Sequence, residues 1–379
     1  MFAANLPLIK TALFSISATS AIEAIGGSMY AHSRWIYRNL IAFCALAIWS
    51  SHAFAALLWS VVPPDSNGPT PLRIVSFTST VPGTLLDDFT PTGLLAGETV
   101  LAIDFHPVTG ELFALGSTGV TSRLLKIDLL TRAASSVGAV SPALNLSDFY
   151  GMSFEPTNNS LRVVSSSDMN WLVDSSTGSV TMQSGLAFPS GDPNFGTPPD
   201  IVSIAHDNKR AGATHTTTYG IDRGLDRLLR IGDPGGVVAL AASGKLSTIG
   251  PLGVNATGYG GFDIEPGTNN GYAVLRVGGA SQLYRINLHS GAATLVGTVG
   301  SGTDPFDALA ISPPDSCLDV DGNGAIEATK DGVMLVRAML GMRGDQIVAG
   351  LLSRNSTRRT WADIRKHLNS NACGGNYAP

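Results

Sequence analysis

The feature that most constrains this chain is a repeated unit of about 50 residues. Each clear copy begins with an apolar run that ends at a proline turn, and such runs start at Leu101, Tyr150, Tyr259 and Ala308. Three further apolar runs follow the turn in the complete copies. Four short strands in a unit of about 40 to 50 residues are typical of a propeller blade. The repeat therefore predicts an all-β, β-propeller-like domain over residues 56–314.

The two ends of this region predict how the ring closes. The last copy, at Ala308, has the first apolar run of the unit, which we call the inner run, but lacks the three runs that follow it. The region begins instead with three such runs, at 57–62, 72–77 and 85–95. Together they would form one blade, and closing the ring in this way removes exposed sheet edges. Four internal blades and one composite blade give five. A sixth blade hidden in the long third unit, whose inner run is Ile201–Ala205, and a β-sandwich are the alternatives.

Composition agrees with a folded β domain and excludes other classes. The chain has 43 glycines, 21 prolines and only 14% charged residues, so it is rich in turns and resembles neither a disordered chain nor a coiled coil. The net charge is -5, and no long block of one sign occurs. We therefore expect no nucleic-acid partner.

Three stretches also resemble a known family. They are Asp-Phe-x-Pro-x-Thr-Gly-x-Leu-Phe-Ala-Leu from Asp104, Leu-Arg-Val-Val-Ser from Leu161, and Leu-Tyr-Arg-Ile-Asn-Leu-x-x-Gly-Ala-Ala-Thr from Leu283. They are similar to exported bacterial proteins grouped as domain of unknown function 4394, over residues 57–313. The resemblance implies a secreted, propeller-like fold. The family brings no established reaction or ligand, so the resemblance implies no catalytic residue.

Residues 1–55 are predicted to be a signal region. Arg34 and Arg38 precede an apolar run at 40–49, and Ala53 and Ala55 supply the small residues that precede signal-peptidase cleavage. We expect a start at Met29, cleavage after Ala55, and a secreted or periplasmic protein. The run is too short to span a bilayer, so no retained membrane anchor is expected.

Residues 315–379 are predicted to form a small α-helical module that begins with a calcium loop. Oxygen donors alternate with spacers, and a glycine at the sixth position lets the next carbonyl join the side chains, which is the arrangement that calcium requires. Helices are predicted at 331–340, 345–352 and 361–368. The predicted ligands are Asp319, Asp321, Asn323, the carbonyl of Ala325, Glu327 and Asp331.

This loop resembles a dockerin repeat or EF-hand but departs from both. Lys330 occupies the usual twelfth position and the carboxylate of Asp331 comes one residue later, and there is one loop where dockerins carry two. A cohesin-like partner is therefore only weakly implied. In the alternative interpretation, Asp331 supplies negative charge to the N-terminus of the following helix.

Cys317 and Cys373 bracket the module and are predicted to form a disulfide. Cys44 would leave with the signal region, and an even pair in an oxidising compartment is typical of a disulfide. Two unpaired thiols are the alternative.

The inner runs leave two function classes open. Asp104, Ser153, Asp263 and Ala310 occupy equivalent positions near the ends of these runs. Aspartates at strand ends usually accept hydrogen bonds from backbone, but two of them around an axis could also serve a hydrolase or lyase. No catalytic motif is recognisable, and the histidines at 106, 206, 215 and 289 are expected in turns or at the surface. A binding protein with a protein or glycan partner outside the cell is favoured.

Overall fold

The structure is a computed structural model, and it describes most of the chain after residue 54. The described residues are 55–65, 70–129, 131–210, 212–232, 238–257, 260–313, 319–322, 328–352, 356 and 358–369. The predicted signal region lies outside them.

The described residues form five antiparallel sheets of four strands each. The strands of the first two blades in chain order are β1 (Leu57–Val62), β2 (Arg73–Thr78), β3 (Asp87–Phe89), β4 (Thr99–Phe105), β5 (Leu112–Ser117), β6 (Ser122–Asp128) and β7 (Ala133–Val140). Those of the third and fourth are β8 (Tyr150–Phe154), β9 (Leu161–Ser165), β10 (Asn170–Val173), β11 (Val180–Met182), β12 (Ile201–His206), β13 (Thr218–Asp222), β14 (Arg227–Ile231) and β15 (Leu246–Pro251). The fifth blade contains β16 (Gly260–Ile264), β17 (Gly271–Val277), β18 (Ala280–Ile286) and β19 (Ala293–Thr298), and β20 (Ala308–Ile311) returns to the first blade.

The ring closes as the sequence predicts. Strand β20 pairs antiparallel with β1, from Leu58 opposite Ile311 to Val61 opposite Ala308. Strand β1 pairs with β2, so the first blade has the order β20-β1-β2-β3. The other blades have the orders β4 to β7, β8 to β11, β12 to β15 and β16 to β19. The prediction of a five-bladed propeller is therefore confirmed.

The inner strands β4, β8, β12, β16 and β20 pack against one another around the axis. Glycines allow this close approach, because a Cβ on Gly151 would lie 2.6 Å from the Ile204 nitrogen and one on Gly261 would lie 2.1 Å from the Leu309 nitrogen. The residues of β8, β12, β16 and β20 are all buried, whereas the outermost strands β11 and β19 have mainly exposed or half-buried residues. Apolar side chains between neighbouring blades form the core.

The C-terminal module contains two helices among its described residues. They are α1 (Asp331–Met339) and α2 (Trp361–Leu368). Met334, Ile347 and Ile364 pack with Val320 and Trp361 in one small apolar cluster. The Thr360 hydroxyl accepts a hydrogen bond from the Asp363 amide and caps α2.

The helix predicted over residues 345–352 is wrong. Residues Gly344–Gln346 form a single 3-10 turn, and further turns follow it. Gly344 has φ 59° and Gly350 has φ 74°, values that fit a left-handed turn and interrupt an α-helix. Among the described residues, no helix is both long and apolar enough to cross a membrane.

Candidate functional site

The centre of the propeller holds a buried cluster of three charged residues, Asp104, Lys209 and Asp263, which we call the axial ion cluster. Lys209 Nζ lies 2.5 Å from Asp104 Oδ1, and 2.9 and 3.1 Å from the two carboxylate oxygens of Asp263. Asp104 is the penultimate residue of β4, Asp263 is the penultimate residue of β16, and Lys209 follows β12. Three of the five blades thus contribute to one cluster at the C-terminal ends of the inner strands.

Each aspartate of the cluster also binds the backbone of the next blade. Asp104 Oδ2 accepts a hydrogen bond of 2.7 Å from the Phe154 amide of β8. Asp263 Oδ2 accepts one of 2.7 Å from the Ile311 amide of β20, and its Oδ1 accepts one from Ile264. The interpretation that these aspartates accept backbone hydrogen bonds is therefore confirmed. The two side chains connect neighbouring inner strands directly.

Burial and charge act in opposite directions within the cluster. The pKa of Asp263 is raised to about 6, because burial and the nearby Asp104 raise it by more than Lys209 lowers it. Burial would lower the pKa of Lys209, but the two carboxylates outweigh it and the pKa lies above its ordinary value. Lys209 is therefore a stable ammonium ion at neutral pH, held by the aspartates on both sides.

This geometry limits what the two carboxylates can do. Asp104, Asp263 and Lys209 are only 1%, 2% and 3% exposed. A general acid or base must reach the proton that it transfers, within hydrogen-bond distance or through one water molecule. The carboxylates do converge, as a hydrolase or lyase would require, but in a buried cluster with an ammonium ion between them.

A second buried polar cluster adjoins the first. Arg162 is fully buried and donates to Glu155 Oε1 at 2.5 and 2.8 Å, to Asn170 Oδ1 at 2.5 Å and to Gln183 Oε1 at 2.7 Å. Burial raises the pKa of Glu155, against the effect of Arg162. The cluster satisfies an otherwise costly buried guanidinium and connects β9, β10 and the turn after β8.

His206 belongs to this region, and the prediction that it lies in a turn or at the surface is wrong. It is the last residue of β12 and is fully buried. Its Nε2 lies 2.9 Å from the Thr218 hydroxyl and 4.0 Å from Glu155 Oε1. Burial, together with the charges of Arg162 and Lys209, lowers its pKa well below the ordinary value, so this histidine is neutral at physiological pH.

The N-terminal ends of the inner strands surround a small cavity on the axis. Tyr150, Gly151, Ser203 and Gly261 line it, together with Asp307, which directly precedes β20. The cavity has room for about one water molecule. Oδ1 of Asp307 is buried and has no hydrogen-bond partner among the described residues. Burial raises the pKa of Asp307 to about 7.

The predicted calcium loop is described only in part. The carboxylates of Asp319, Asp321 and Asp331 have oxygens within 4.8 Å of one another, and Asp321 and Asp331 are fully buried. Asp331 Oδ1 accepts hydrogen bonds from the amides of Val320 and Asp321. The other predicted ligands and the predicted disulfide lie outside the described residues, at Asn323, Ala325, Glu327, Cys317 and Cys373.

Two functional candidates were not predicted from the sequence. Lys209 follows the inner run of the third unit, which lacks the proline turn of the clear copies, and this departure from the repeat was the available signal. Asp307 immediately precedes the final inner run, and of the other inner runs only that of the third unit is also preceded by a carboxylate, Asp200. Neither residue belongs to a motif, so only the ring geometry reveals them.

These features define the class of the protein: a five-bladed β-propeller with a buried ion cluster on its axis. The family model described as "Domain of unknown function (DUF4394)" matches residues 73–310, and the chain belongs to this family. No curated protein matches the chain in sequence.

Several solved structures are similar in fold at low sequence identity. A structural genomics protein of unknown function from Bacteroides thetaiotaomicron is 14% identical, with a TM-score of 0.40 and coverage of 64% of this chain and 62% of that one. TolB from Acinetobacter baumannii is 11% identical, with a TM-score of 0.41 and coverage of 68% and 67%. A chain of a nidogen/laminin complex is 11% identical, with a TM-score of 0.40 and coverage of 68% and 98%. This chain thus spans less than two thirds of the Bacteroides protein.

Proposed function

We propose that this protein is an extracytoplasmic binding protein, secreted or periplasmic, with a rigid propeller and a C-terminal module stabilised by calcium. The observation that carries the proposal is the position of Lys209 between Asp104 and Asp263. The two inner-strand carboxylates that would have served a hydrolase or lyase are committed to a buried ion cluster. Binding is then the function best supported for the propeller, with a protein or glycan as partner.

The local chemistry supports a calcium role for the module. Three carboxylates that approach within 4.8 Å repel one another, and two of them are buried. A hard divalent cation relieves this repulsion and prefers oxygen ligands. The proposed site uses Asp319, Asp321 and Asp331, with Asn323, the carbonyl of Ala325 and Glu327 completing it. A dissociation constant on the order of 10⁻⁴ to 10⁻³ M suffices outside a cell.

Binding and catalysis can be separated by one set of measurements. The purified full chain is applied to an array of glycans and to envelope fractions, and both retention and product formation are recorded. We expect saturable retention without turnover. The control is Ser153→Ala, because Ser153 is the neutral residue at the equivalent position of the next blade. The proposal would be contradicted if the wild type turned over a substrate and this activity were lost in Asp104→Asn but kept in Ser153→Ala.

The calcium role of the module is tested by calorimetric titration of the full chain. We expect Asp321→Asn and Asp331→Asn to weaken calcium binding at the C-terminal site at least tenfold. Asp363→Asn is the matched control, since it removes one charge from the same module and retains an oxygen that can accept from Thr360. Equal calcium binding by all three variants would overturn the proposed site.

A further inference from the structure

The cavity at the N-terminal ends of the inner strands has the chemistry of a second ion site. Asp307 Oδ1 is buried there without a hydrogen-bond partner among the described residues, and none of the ion pairs in that part of the chain includes Asp307. A buried carboxylate oxygen without a partner is unfavourable, and a cation is the ligand that best compensates it. The cavity thus holds one uncompensated anionic ligand.

The walls of the cavity supply neutral oxygen ligands. Each inner strand is the edge strand of its sheet, so part of its backbone faces the axis instead of another strand. Among the residues that line the cavity, Ser203 carries a hydroxyl group, the Tyr150 hydroxyl donates to the Asn145 carbonyl, and none is a histidine or cysteine. A set of ligands made of oxygen alone selects hard cations over zinc or copper.

The size of the cavity discriminates among hard cations. It has room for about one water molecule, so an ion that keeps several waters does not fit. Magnesium loses its waters reluctantly and requires near-ideal octahedral geometry, whereas calcium accepts irregular sets of carboxylate and carbonyl oxygens. Of these two divalent cations, calcium is therefore the one that fits the cavity better.

We propose that the axial cavity binds one calcium ion, with Asp307 Oδ1 as the anionic ligand and oxygens of the surrounding inner strands as neutral ligands. The ion would lie between neighbouring blades at the N-terminal end of the ring, whereas the axial ion cluster connects blades at the other end. This site is separate from the C-terminal site and does not depend on it.

The test is a calcium titration of the full chain in which the C-terminal site is silenced by Asp321→Asn. We expect the wild type to bind two calcium ions, Asp321→Asn to bind one, and Asp307→Asn/Asp321→Asn to bind none. Calcium should raise the melting temperature of the propeller in Asp321→Asn and leave that of the double variant unchanged. Asp307→Asn preserves shape and removes a buried charge, so we expect it to fold.

Asp148→Asn in the Asp321→Asn background is the matched control. Asp148 is a half-buried carboxylate two residues before the inner strand β8, whereas Asp307 directly precedes β20. We expect this variant to keep the single calcium site. The proposal is overturned if Asp321→Asn binds no calcium, if Asp307→Asn/Asp321→Asn still binds it, or if about 0.15 M sodium alone abolishes the binding. Two ions lost together in Asp307→Asn would also overturn the separation of the two sites.

Discussion

At the scale of single residues, Lys209 shows how one side chain can decide the role of two others. Without it, Asp104 and Asp263 would be two buried carboxylates near one axis, which is an arrangement suited to acid and base chemistry. With it, each carboxylate has an ion pair and at least one backbone hydrogen bond. The cluster retains a net negative charge, which agrees with the raised pKa of Asp263.

Replacing Lys209 tests this role directly. We expect Lys209→Met to destabilise the propeller by about 3 to 5 kcal/mol, because it leaves two buried carboxylates uncompensated. Urea unfolding measures the change. Lys126→Met is the matched control, since Lys126 pairs with Glu111 at 3.0 Å on the surface and its loss should cost less than about 1 kcal/mol. Equal effects of the two substitutions would refute a structural role for the cluster.

The carboxyl of Asp307 predicts a dependence of stability on pH. Its pKa in the folded protein, about 7, lies above the ordinary value of 3.8, so the fold favours the protonated form. The stability from this group is fully present below about pH 4 and is lost as the pH rises through 7. With a chelator present, we expect Asp307→Asn to be more stable than the wild type at pH 8, by a few kcal/mol, and nearly equal to it at pH 4. A difference that is the same at both pH values would count against the buried carboxylate.

At the scale of elements, the inner strands approach closely because glycines replace larger residues. A Cβ on Gly261 would lie 2.1 Å from the Leu309 nitrogen, a contact with backbone that cannot be relieved by a change of rotamer. We expect Gly261→Ala to destabilise the propeller by about 1 to 3 kcal/mol or more in thermal unfolding. Gly83→Ala is the control, since its nearest atom would be at 3.7 Å. Similar melting temperatures for the two variants would show that the axis is looser than described.

The strands were predictable from the sequence for a physical reason. The repeat recurs at intervals of about 50 residues, and each apolar run has the length of a strand, so both element type and blade count follow from local patterns. The helix predicted over 345–352 failed because Gly344 and Gly350 adopt left-handed turns. The aspartates 104 and 263 were predicted as candidates from their equivalent positions. Their partner Lys209 comes from a loop, and loop conformation is not determined by periodicity.

At the scale of the whole molecule, two parts should unfold independently. The C-terminal module has its own apolar cluster, and the disulfide and the calcium ion proposed for the C-terminal site would stabilise only this part. We expect reduction combined with chelation to unfold the residues after Asp315 and to leave a separate propeller transition in the calorimetric trace, lowered only by the loss of the proposed axial calcium ion. A trace that neither treatment changes would contradict both the disulfide and the calcium site of the module.

The central claim is that Asp104 and Asp263 connect adjacent inner strands and so hold the ring of five blades together. The most direct test of this claim is hydrogen exchange of the two backbone amides that donate to these carboxylates. In Asp104→Ala we expect the Phe154 amide to exchange about ten times faster or more, and in Asp263→Ala we expect the same of Ile311, because each loses its acceptor. Unchanged protection of both amides in the two variants would contradict the claim.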